Sequence, residues 1–208
     1  MAHFLKSSET ITVLNSKTIT MYGGGPPPNN EKLDFLAEKP DIVDLTFKNA
    51  ATGPYYEWEV RGKLPGVTKI RAVIPGTQTD WSNPMILTIN GRINIEISSN
   101  GEGTLECVGL GKFKILGDPT KKYPTDITVD PLADAGVKER VHQSREFNVA
   151  MPFAVRIWGQ LGIYIHEFPD NLQDNGGPSA GCIHVGKGNA EKVYNYVVTR
   201  TRIIIKQH

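Results

Sequence analysis

A histidine, His166, closes a β-prone apolar run, and a cysteine, Cys182, follows a Gly/Pro-rich loop directly after Gly181. Cysteine chemistry requires the thiolate, and a nearby imidazole can take the proton and stabilise the anion that forms. Strand ends that open into loops hold such groups on a rigid edge while leaving them reachable. Gly181 permits a tight backbone path that could aim amide N–H groups at a developing oxyanion. The same segment carries the polar residues Glu167, Ser179 and His184. A competing reading takes His166, Glu167, Cys182 and His184 as zinc ligands; the types suit that metal, but neither HExxH nor paired CxxC spacing is present. No metal or other cofactor is therefore expected. The other thiol, Cys107, sits in an apolar strand with no histidine close in sequence and reads as structural. His3, His142 and His208 have no motif around them and read as surface residues, while Trp158 and Tyr164 read as core.

The elements that position these groups are almost all strands. Alternating β-branched runs occur at 10–14, 18–22, 42–47, 56–60, 68–74 and 85–89, separated by Gly/Pro punctuation such as the loop at 23–30. Short strands at this spacing predict an N-terminal β-sandwich over residues 1–90. An Asn90-Gly91 turn signal places a boundary there, and a second domain, 91–208, opens with another alternating strand at 93–97. A strand pair is expected over 104–116. The polar stretch 118–147 reads as a long connection, and a connection of that length is a candidate lid or substrate wall as much as a surface insertion. Two apolar strands, 153–158 and 162–166, lead to His166. One helix is expected, with Asn189 as N-cap, Glu191 in the first turn and Val193, Tyr194, Val197 and Val198 as its apolar face. A last strand covers 202–206. The fold class is thus mainly β, with one helix near the C-terminus.

The sequence resembles the L,D-transpeptidase (YkuD-type) catalytic domain. That family shows a strand ending in His-Gly, a variable loop, then Ser/Thr-His-Gly-Cys followed by an apolar residue and Arg or Asn. This chain has Ile163-Tyr164-Ile165-His166-Glu167, then Ser179-Ala180-Gly181-Cys182-Ile183-His184, with a helix and closing strand in the same order. The likeness covers roughly residues 92–207 and is strongest over 151–184. Residues 60–73 resemble the later strands of bacterial Ig-like domains, which would make the N-terminal domain a docking or binding module. Three positions depart from the family pattern: Glu167, Ala180 and His184. The resemblance implies that Cys182 attacks a peptidoglycan stem peptide to form a thioester, that His166 moves the proton, and that His184, Ser179 and Glu167 shape substrate binding. The outcome stays open between cross-linking or exchange on an amine and trimming by water, and the departures also admit an inactive cell-wall binding or adhesion module.

Gross properties exclude little. A net charge of +1 gives no general argument for nucleic acid or an anionic surface as partner. No apolar stretch reaches the roughly 18–20 residues needed for a membrane span. The first residues, Met-Ala-His-Phe-Leu-Lys, lack the pattern of a secretory signal. Action in the periplasm or cell envelope then implies either a trimmed signal or export by a type VI-like machine as an antibacterial effector, with secretion-machine or immunity-protein partners.

Overall fold

The computed structural model describes residues 2–23, 33–50, 54–74, 76–77, 79–144, 148–168 and 181–208. Most of the loop expected at 23–30 and all of 169–180, Ser179 and Ala180 included, lie outside the described residues. The chain divides into two compact units, Met1–Asn90 and Gly91–His208.

The first unit contains β1 (His3–Phe4), β2 (Ser8–Thr12), β3 (Ser16–Tyr22), β4 (Asp34–Ala37), β5 (Val43–Ala50), β6 (Tyr55–Gly62), β7 (Gly66–Val73) and the start of β8 (Met85–Ile97). One sheet has the order β1-β3-β6-β5, and a second runs β2-β8-β7-β4. The alternation expected of half-buried strands is explicit in β6, where Tyr56, Trp58 and Val60 are buried and Tyr55 and Arg61 are exposed. The Trp58 ring from the first sheet stacks on Phe35 from the second with centroids 3.4 Å apart, so the two sheets face each other as a sandwich.

The second unit adds β9 (Glu102–Cys107), β10 (Gly111–Leu116), β11 (Asp126–Val129), β12 (Lys138–Gln143), β13 (Ala150–Trp158), β14 (Ile163–Glu167), β15 (Ile183–Val185), α1 (Asn189–Tyr196) and β16 (Thr201–Gln207). Its sheet order is β11-β16-β8-β9-β10-β15-β14-β13-β12. Two neighbouring pairs are parallel, β8 with β16 and β14 with β15. Ile93, Ile95, Leu105, Val155, Ile165, Ile183 and Ile203 are all at most 1% exposed and form the apolar layer beneath the site. Each such side chain contributes roughly 1.5–3 kcal/mol on burial, enough to hold the site's strands rigidly.

Three expectations need correction. Asn90-Gly91 is not a turn: β8 runs unbroken from Met85 to Ile97, burying alternate residues, Gly91 among them. The in–out alternation simply continues through the dipeptide, and with partners on both sides a straight strand satisfies the backbone better than a turn. The stretch 118–147 is not a bare connection, since it holds β11 and β12. Both are polar strands that pair with only one neighbour in the sheet order, so their sequences lack the apolar alternation that marks a strand. The helix begins one residue differently, with Gly188 at the N-cap in a left-handed conformation, φ 73°. Val198 lies beyond the helix and is 38% exposed, whereas Val193 and Val197 are fully buried.

Candidate active site

β14 and β15 are neighbours in parallel register, with His166 opposite His184 and Ile165 opposite Ile183. Side chains alternate between faces along each strand, so Tyr164, His166 and His184 share one face, and Cys182, two residues before His184, joins them. Cys182 is half-buried and packs against Met151, Ala154 and Tyr164. Both strands lie inside the sheet, flanked by β10 and β13, which fixes their spacing.

The His166 ring is 5% exposed, and its Nδ1 lies 2.8 Å from the Glu167 carbonyl oxygen. A carbonyl only accepts, so Nδ1 carries the proton and Nε2 keeps its lone pair for a substrate or thiol. Burial lowers the His166 pKa, only partly offset by that hydrogen bond, and the nearby His142 lowers it further. The resting imidazole is therefore neutral, the form that can accept a proton.

Burial pushes the Cys182 thiol up, while a hydrogen bond from the Tyr164 backbone and the charge of Lys121 pull it back. The thiol points to the Gly162 carbonyl at 3.9 Å. Raised thiol and lowered imidazole both favour the neutral pair, so any attack by the sulfur would need a proton to move with it.

Sequence reasoning missed the segment that holds Cys182 from the other side. Gly181 has φ 114°, and a Cβ there would sit 3.1 Å from Lys121 Cε. The buried Tyr123 hydroxyl accepts from the Asp118 amide at 2.9 Å and donates to the Cys182 carbonyl at 3.4 Å. Gln207, at the end of β16, binds both sides of this segment: its Oε1 accepts from the Tyr123 amide at 3.0 Å and its Nε2 donates to the Lys121 carbonyl at 2.7 Å. None of these contacts is local in sequence, so no motif announces them. A Gly181→Ala substitution meets both a left-handed backbone and the lysine stem. It is expected to destabilise the fold by about 1–3 kcal/mol and to slow Cys182 alkylation, measured by urea unfolding and thiol-trapping kinetics. An unchanged alkylation rate would show that this geometry does not set thiol reactivity.

His184 is 8% exposed, stacked on Phe168 with centroids 4.2 Å apart and edge-on to His166 at 4.7 Å. Its Nδ1 is buried without a hydrogen-bond partner among the described residues. Burial, with the neighbouring His166, lowers its pKa to about 3. Unfolded histidine titrates near 6.5, so on acidification the unfolded chain takes up this proton first. The neutral burial is thus fully compatible with folding above about pH 6.5, and stability falls as pH drops from there towards 3, by at most about 1.4 kcal/mol per pH unit for the one group. Unfolding free energies at pH 7 and 5 should differ by less in His184→Phe than in wild type; equal differences would contradict the assignment.

Glu167 Oε2 accepts from the Gly188 amide at 2.8 Å, so this carboxylate fastens β14 to the start of α1. The helix is anchored at its other end by Tyr196, whose hydroxyl lies 2.8 Å from the Val108 carbonyl and 3.0 Å from that of Arg92. Ser179 lies outside the described residues. Cys107 is wholly buried, and burial together with Glu106 pushes its thiol up to about 12. His142 is not a free surface residue: it is half-buried, pairs with Glu139 at 2.9 Å and stacks on Tyr164 at 4.5 Å. Tyr164 is core, at 8% exposed, and Trp158 is half-buried.

The arrangement sets a thiol at the entrance to β15 and an imidazole on β14 on one face, a pairing that can support acyl transfer. The family model of the YkuD L,D-transpeptidase catalytic domain matches residues 65–205, more than half of the chain. The chain belongs to that family. The match begins inside the first unit, well before Gly91. No curated protein matches the sequence. Similar solved structures include L,D-transpeptidase 3 from Mycobacterium tuberculosis, 16% identical over 98% of this chain and 97% of that one, with a TM-score of 0.45. An L,D-transpeptidase from Mycobacterium smegmatis is 17% identical over 94% of this chain and 93% of that one, with a TM-score of 0.43.

Proposed function

We propose that this chain is a cysteine-dependent acyltransferase acting on peptidoglycan stem peptides, with Cys182 as nucleophile and His166 as its base. The observation that carries the reading is the pairing of β14 with β15, with His166 and Cys182 on one face and His166 Nδ1 tied to the Glu167 carbonyl. The Cys182 sulfur attacks the donor peptide carbonyl as its proton passes to His166 Nε2. The tetrahedral intermediate collapses to a thioester, and His166 returns the proton to the departing amine. The Gly181 and Cys182 amides are the candidate donors to the oxyanion, and the Lys121 charge beside Gly181 adds to that field. An entering amine then takes the acyl group, giving cross-linking or exchange. Glu167 serves the site by holding β14 to α1, and His184 acts from within the cluster beside His166. The first unit, residues 1–90, is a sandwich that would present this domain to the cell wall.

Mass spectrometry of peptidoglycan incubated with the purified chain and a D-amino acid tests the reading. New cross-links or exchanged termini are expected; unaltered peptidoglycan would overturn it.

A further inference from the structure

The edge strand β12 carries a second imidazole to the face of the sheet that holds Tyr164. His142 Nδ1 lies 2.9 Å from Glu139 Oε1, which accepts, so in the neutral ring the proton sits on Nδ1 and Nε2 keeps its lone pair. The ring lies nearly parallel to Tyr164, with centroids 4.5 Å apart and planes at 24°. Tyr164 is also the ring against which Cys182 packs. His142 pairs across β12 and β13 with Met151, another member of the cluster against which Cys182 packs. It is close enough to His166 that a proton on His142 opposes one on His166. This face therefore holds two imidazoles, each with Nδ1 beside an oxygen acceptor. One is 5% exposed and sits on an interior strand; the other has a side chain 24% exposed and sits at the sheet edge.

A transfer reaction handles two amines, one leaving and one entering. Its first half needs a base for the thiol and its second a base for the incoming nitrogen. We propose that His142, anchored by Glu139, is the base for the entering amine, an inference that rests on the acyl transfer proposed above. The amine enters as R–NH2, and its lone pair attacks the thioester carbonyl. The surplus proton on nitrogen passes to His142 Nε2, the C–S bond breaks, and an amide and the Cys182 thiolate result. His142 gives its proton to water, and the thiolate is reprotonated through His166. Glu139 is a positioning residue: it fixes the tautomer and steadies the imidazolium that forms.

The experiment uses the full chain, a carbapenem to read acylation of Cys182, and a stem tetrapeptide donor with a D-amino acid acceptor to read transfer against hydrolysis. In His142→Gln, acylation should change by no more than about threefold. Transfer to the amine should fall about 100-fold or more, shifting the product ratio towards hydrolysis. His142→Phe keeps a ring on Tyr164 without the nitrogen and should show the same loss. Glu139→Gln should lose about tenfold in transfer. Equal losses in both half-reactions, full transfer activity in His142→Phe, or an unchanged product ratio would each overturn the proposal. A wild type that never acylates at Cys182 would instead overturn the acyltransfer reading, and this inference with it.

Discussion

Cys182→Ala is expected to lose acyl transfer by about 10,000-fold or more while remaining folded. The loss should be so large because nothing else in the described residues can take over the covalent step. Cys107 is fully buried in β9, and its pKa of about 12 leaves almost no thiolate at neutral pH. The fold should barely notice, because Cys182 is half-buried and its replacement removes one sulfur from the edge of the Met151–Ala154–Tyr164 cluster. A change in unfolding free energy of about 1 kcal/mol or less is expected. The measurement is the rate of D-amino acid exchange into a stem peptide, beside a urea unfolding curve. Retained exchange in a folded variant would remove Cys182 from the mechanism.

His166→Gln is expected to slow Cys182 acylation by about 100- to 10,000-fold at pH 7. Burial raises the thiol pKa, so few sulfurs are ionised without help. The same burial lowers the His166 pKa, keeping the imidazole neutral and competent below its ordinary 6.5. The sign of each shift gives a pH profile. In wild type the acid limb should fall below pH 6.5, because protonation of His166 removes the base only there. In His166→Gln the reaction must wait for the thiolate itself, so its rate should rise about tenfold per pH unit through neutrality and past pH 9. Stopped-flow acylation by a carbapenem between pH 5 and 10 reads both. A flat profile for His166→Gln would mean that the thiol is ionised by something else, with Lys121 the first suspect because its charge already acts on Cys182.

The thiol–imidazole pair was legible because each partner carries a local signal: a β-prone run ending in His166 and a glycine directly before Cys182. The strands of the first unit were legible for the same reason, through alternation that burial imposes on every second residue. What could not be read was made by pairing between distant segments. Lys121 lies beside Gly181 and Tyr123 bonds Cys182 from a segment distant in sequence that Gln207 at the end of β16 helps to hold. His142 looked like a surface residue because β12 is a polar edge strand, and only its pairing with β13 brings the ring over Tyr164. Asn90-Gly91 misled in the opposite direction, since a strong local turn signal lost to partners on both sides of β8. His184 was visible as a departure from the family motif, but its burial against Phe168 and His166 was not.

Intact-protein mass spectrometry after brief exposure to a carbapenem, followed by peptide mapping, tests the central claim most directly. One adduct per chain is expected, on the peptide containing Cys182, forming at a rate that falls sharply in His166→Gln. An unmodified chain, or an adduct mapped to any other residue, would contradict the account.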